Sequence, residues 1–150
     1  MRSILRLAFP VSLVTSCGGQ GEVIDGEGCD YLESGPFTSV TAGLAMDTSA
    51  PSITAAGGFT VTLPGAEVGF LSFDSPDDTE YIVFADRPVA VAAFTPSGTE
   101  ITAQARATSI SACTIVQRRD IIELPVGLFY FGLGPDTGMV NVVLRPFNPD

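Results

Sequence analysis

Short apolar runs separated by turn residues fill the chain from residue 37 onward, and they alternate with the two-residue period of strands. The cleanest is Phe59-Thr60-Val61-Thr62-Leu63, which puts Phe59, Val61 and Leu63 on one face and the threonines on the other. Further strands are expected over Phe37 to Met46, Val68 to Phe73, Tyr81 to Phe84, Val89 to Phe94, Glu100 to Ala105, Cys113 to Gln117, Ile121 to Leu124, Gly127 to Leu133 and Met139 to Leu144. Gly35-Pro36, Ala50-Pro51-Ser52, Gly57-Gly58 and Pro96-Ser97-Gly98 mark turns between them. The loop Gly134-Pro135-Asp136-Thr137-Gly138 has the size of a hairpin connection. Leu128-Phe129-Tyr130-Phe131 is apolar at every position, as a covered central strand requires. No stretch after residue 16 has a helical period. The pattern predicts an all-β domain over 29–150, a single antiparallel β-sandwich or jelly roll of about eight to nine short strands.

The opening differs. Arg2 and Arg6 precede an apolar run from Leu7 to Val14, and small residues then lead to Cys17. A basic start, a short apolar core and a small-residue cleavage site make a signal peptide, and about eight residues cannot span a bilayer. Val14-Thr15-Ser16-Cys17 resembles the lipobox of bacterial lipoproteins. The resemblance implies removal of residues 1–16, lipidation of Cys17, and stable anchoring by two or more acyl chains. The glycine- and acid-rich stretch 17–28 then reads as a flexible tether.

Composition narrows the chemistry. Sixteen Gly and 11 Pro with only 16% charged residues suit strands and turns. Without Arg2 and Arg6 the chain keeps five arginines against 17 acids, a side-chain charge of −12. Such a surface repels a phosphate backbone, so nucleic acid is not an expected partner, and membrane contact is expected only through the lipid. Assigning Cys17 to the lipid leaves Cys29 and Cys113, which are expected to pair in an oxidising compartment. The chain has no His and no Lys. Ser-His-Asp, Cys-His and Ser-Lys systems and Schiff bases therefore cannot be built, and no phosphate-binding glycine loop is present.

Carboxylates remain. Asp74, Asp77, Asp78 and Glu80 crowd one turn and could offer oxygens to calcium, although the spacing is not that of an EF-hand and Asp and Ser are ordinary turn residues. A carboxylate-based hydrolase would need a pair of acids across a cleft, which no spacing here picks out. Asp25, Glu27, Asp30 and Glu33 read as a solubilising charge run, and Arg118-Arg119-Asp120 as an exposed turn or edge. Tyr31, Phe37, Phe129 and Tyr130 could form an aromatic patch, with core packing the expected fate of the last two.

Gly127-Leu128-Phe129-Tyr130-Phe131, between an apolar and a valine-rich strand, resembles the closing hairpin of bacterial pre-peptidase C-terminal-type sandwiches, and a hairpin around Phe73 and Tyr81 fits that layout. The segment 29–36 (CDYLESGP), echoed at Cys113, is similar to small secreted lipoproteins of unknown function, some with histidine near the first cysteine; this chain has Asp30-Tyr31 there. These features lead us to expect a lipid-anchored protein of the bacterial cell envelope, non-catalytic, structural or binding, whose partner is another envelope protein or a glycan. Gly18 after Cys17 points to the outer membrane, facing the periplasm or the cell surface, over the inner. A calcium-dependent binding module and a small carboxylate hydrolase are the alternatives, and no other cofactor is expected.

Overall fold

The computed structural model describes residues 20–147. Phe59, Val61 and Leu63 point inward together, as their alternation demands, and the strands over 69–75, 91–94 and 118–124 bury every second residue in the same way. A helix, α1 (Gln20–Ser34), comes first, then β1 (Phe37–Thr41), β2 (Ser52–Ile53), β3 (Gly58–Pro64), β4 (Gly69–Ser75) and β5 (Thr79–Ala85). The chain continues through β6 (Val91–Phe94), β7 (Glu100–Ile101), β8 (Ala105–Ala107), β9 (Arg118–Leu124), β10 (Gly127–Leu133) and β11 (Thr137–Pro146). Two sheets result, one ordered β1-β3-β11-β5-β9-β8 and the other β2-β4-β10-β6-β7. Their inner faces meet in a core that includes Phe73, Tyr81, Val83, Phe131 and Val142.

The sandwich is therefore all-β apart from α1, but it has 11 strands, and its sheets are mixed where antiparallel ones were expected. Between β1 and β3 the chain crosses to the opposite sheet for β2 and returns, which leaves β1 and β3 parallel. Going from β2 to β4 by way of β3 makes that pair parallel too. The expected hairpins are also redirected. The turn after β4 and the loop 134–138 carry the chain from one sheet to the other, so Phe73 and Tyr81 face each other across the core, with ring centroids 5.0 Å apart, instead of pairing in a ladder. The expected strand from Phe37 stops at Thr41, Glu100 to Ala105 divides between two sheets, and 113–117 is loop.

The largest departure is α1, which takes up residues 20–28 of the expected tether and 29–34 of the expected β domain. Three glycines disguise it, and each is a poor helix former. Its stability comes instead from tertiary packing of one face, the usual source of helical stability in proteins. Ile24, Gly28, Cys29 and Leu32 are buried at helical spacing against Ile82, Phe84 and Val143, on the outer face of the six-stranded sheet. Ile110, Ile115 and Val116 of the 108–117 loop cover the rest of that face. The Cys29–Cys113 disulfide, Cα atoms 6.1 Å apart, ties these two covers together. Closing a loop with a sequence separation of 84, it stabilises the fold by about 4 kcal/mol on the chain-entropy account.

Gly28 lets α1 lie this close. A Cβ there would sit 2.7 Å from ring atoms of Phe84, which is fully buried and cannot step aside. Gly28→Ala should therefore destabilise the protein, by about 1–3 kcal/mol as overpacking does, although in an open helix the same change stabilises by about 1 kcal/mol. Urea denaturation of the two proteins distinguishes the signs.

Candidate functional site

The residues singled out in the sequence go to separate places. Cys17 lies outside the described residues. Asp74 is the penultimate residue of β4 and is exposed, paired with Leu128, while Asp77 and Asp78 are exposed in the turn and Glu80 is half-buried in β5 opposite Glu123. The turn is tied internally: Ser75 Oγ lies 2.8 Å from the Asp77 carbonyl oxygen and 3.0 Å from the Tyr81 hydroxyl. Among the described residues no three Asp, Glu or Cys side chains gather as metal ligands. The four aromatics also separate. Phe129 is in the core, Tyr31 and Phe37 pair edge-to-face beside α1 at 6.3 Å, and Tyr130 lies on the outer face of the five-stranded sheet. On that face Phe70 and Phe94 meet edge-to-face over Gly132.

Arg118-Arg119-Asp120 is neither turn nor edge, because β8 pairs outside β9. Strand periodicity turns Arg118 and Asp120 to one face and Arg119 to the other. Asp120 is 0% exposed and accepts hydrogen bonds from Arg118 Nε and Nη2 at 2.8 and 3.1 Å, with Arg106 Nε at 3.4 Å. Arg106 also donates to the Val91 carbonyl of β6 at 3.3 Å, so the buried carboxylate gathers two arginines that bridge the sheets at one rim. Arg119, on the opposite face, lies 2.9 Å from Asp25 of α1. Its Nε–H does not point along that contact, so the pair attracts as charges without a hydrogen bond. Burial accordingly pushes the Asp25 carboxyl above its ordinary value, and Arg119 offsets only part of the shift.

A concavity follows α1. Val23, Glu27, Asp30 and Ser34 recur at helical spacing and form one wall, while Ala55, Ala56, Arg145 and Pro146 form the other. The groove has a volume of about 1110 Å³ and is open to solvent. The Arg145 guanidinium sits 4.3 Å from the centroid of the Tyr31 ring, a cation–π contact that fixes both side chains. Each other arginine among the described residues pairs with a carboxylate; Arg145 lies on Tyr31 instead. Glu27 and Asp30 are exposed on the facing wall. The groove thus offers an apolar floor, an aromatic ring and charges of both signs, and Ser34 has no histidine or lysine in the chain to activate it. No protein-family model matches the chain, and neither does any curated protein.

Sequence reading missed Arg145 and the burial of Asp120. The Asp120 cluster had a signal, since Arg118 and Asp120 two apart in a strand must share a face. Arg145 had none, because its partner ring belongs to a helix that the glycines conceal.

Two outcomes follow. Asp120→Asn should cost about 3 kcal/mol in urea denaturation, since it strips the charge from a buried site and leaves Arg118 without its counterion. Because folding raises the Asp25 pKa, the native state binds this proton more readily than the unfolded chain, and the site gains stability as pH falls towards 3.8. Asp25→Asn should therefore be more favourable relative to the parent at pH 7 than at pH 4, as measured by denaturation at the two pH values.

Proposed function

We propose that the chain is a lipid-anchored domain of the bacterial cell envelope that acts as a non-catalytic binding module, with the α1 groove as its contact surface. One observation carries the reading. The Cys29–Cys113 disulfide uses two of the three cysteines, so the third, Cys17, is the one that closes the lipobox-like Val14-Thr15-Ser16-Cys17. A disulfide that ties down the cover of a second apolar layer suits an oxidising compartment, the same one to which a signal peptide delivers its cargo. The groove supports binding because it combines apolar floor, Tyr31, Arg145, Glu27 and Asp30 without a nucleophile and its base. Its partner would be another envelope protein or a glycan, and Gly18 after Cys17 favours the outer membrane.

Intact-mass measurement of the protein from bacterial membranes should give an N-terminal Cys17 carrying acyl chains. Cys17→Ala should move the protein from the membrane to the soluble fraction while its melting temperature, set by the domain, stays unchanged. An unmodified Cys17, or a cut elsewhere, overturns the reading.

A further inference from the structure

We propose that the Val23 end of α1 docks directly on the lipid bilayer, so that the domain stands on the membrane in one orientation instead of ranging over it on a tether. This rests on lipidation of Cys17 as proposed above. The decisive observation is that residues 20–28 are already helical. A tether over 17–28 would have an end-to-end distance of about 19 Å, enough to hold the domain clear of the surface. With α1 starting at Gln20, only Gly18 and Gly19 separate the anchor from the helix, and three Cα–Cα steps reach no more than about 11 Å. The helix cannot swing out to add length, because the Cys29–Cys113 disulfide, the Asp25–Arg119 pair and the Gly28–Phe84 contact hold it on the sheet.

At the start of the helix stands Val23, 63% exposed at one end of the groove wall. An acyl-chain anchor places its backbone at the headgroup level, so the first turn of α1 lies in the interfacial region and Val23 meets lipid. The charge pattern says how this contact is held. Glu22 and Glu27 flank Val23, both exposed, and the chain carries an excess of acid, so the surface has no attraction of its own for an anionic bilayer. The covalent anchor supplies the contact by effective concentration. α1 covers the six-stranded sheet, and Leu128, 43% exposed, is on the outer face of the other sheet, so both sheets separate it from the helix.

The chain has no tryptophan, so an introduced one is the sole indole reporter. Full-length Val23→Trp and Leu128→Trp proteins would each be purified in processed form and reconstituted in phosphatidylcholine vesicles with brominated acyl chains. The expected result is loss of emission with a blue shift at position 23 and unchanged emission at position 128. Inserting a 12-residue Gly-Ser linker between Gly19 and Gln20 should restore the emission at position 23. Adding Cys17→Ala to Val23→Trp should leave that protein unquenched in the presence of the same vesicles. If intact mass confirms acylated Cys17 but the Val23→Trp protein is not quenched, or both positions are quenched alike, or the linker changes nothing, the docking proposal is overturned and the anchoring stands. If Cys17 carries no lipid, the anchoring itself has failed and docking falls with it.

Discussion

Five consecutive residues of β5, Tyr81 to Ala85, are buried, and a strand buried on both faces must be covered on both. Tyr81, Val83 and Ala85 find their cover in the opposing sheet. Ile82 and Phe84 cannot, because they point the other way, and with Val143 of β11 they make an apolar outer face that water would otherwise reach. Burying side chains of this size contributes roughly 1.5–3 kcal/mol each. That gain is what holds a glycine-rich, acidic segment in a helix against its own poor propensity. The disulfide, the 108–117 loop and the groove all follow from this requirement, since each is part of the cover or lies along its edge.

Polar contacts define the rims that packing leaves open. Arg106, Arg118 and Asp120 close one side of the sandwich, and Arg87 ties the crossing loop at Asp136 to the backbone of β11 through the Thr137 and Met139 carbonyls. The two sites differ in dielectric. Asp120 is out of water and fully hydrogen-bonded, so its charge is held by geometry, whereas the Arg87–Asp136 pair is about one-third exposed and contributes little beyond positioning. Asp25 lies between these limits. It is near enough to Arg119 to be attracted but not aligned to share a hydrogen bond, and its raised pKa reflects the desolvation left over.

What could be read in the sequence and what could not divide along physical lines. The alternation in Phe59 to Leu63 and in Val140 to Leu144 carries strand identity and inner face, because both are properties of a single strand with period two. Which sheet a strand joins is not a local property. A turn such as 74–80 can fold two strands into a ladder or arch them across a core, and the same Asp, Ser and Pro serve both. The helix was hidden for another reason. Its apolar residues, Ile24, Cys29 and Leu32, are sparse, and Gly26 and Gly28 between them carry the composition of a linker. The continuous apolar run of β5 was the indirect clue, since a two-sided strand in an all-β chain calls for a covering element that the remaining strands cannot supply.

That hidden helix changes what the first residues of the chain mean. A lipobox followed by a free tether leaves the orientation of a domain open, and its binding face can point anywhere. On the proposed lipidation of Cys17, a helix already docked from Gln20 onward would couple the anchor to the sheet through rigid contacts. The groove runs along α1 away from the proposed anchor, from Val23 past Glu27 and Asp30 to Tyr31 and Arg145. On the proposed anchoring, a partner entering it would meet Val23 at the end next to the lipid and the charged, aromatic end further along the helix. On that proposal, the burial that makes α1 fold also sets how the groove is presented to a ligand, and the two cannot be altered independently.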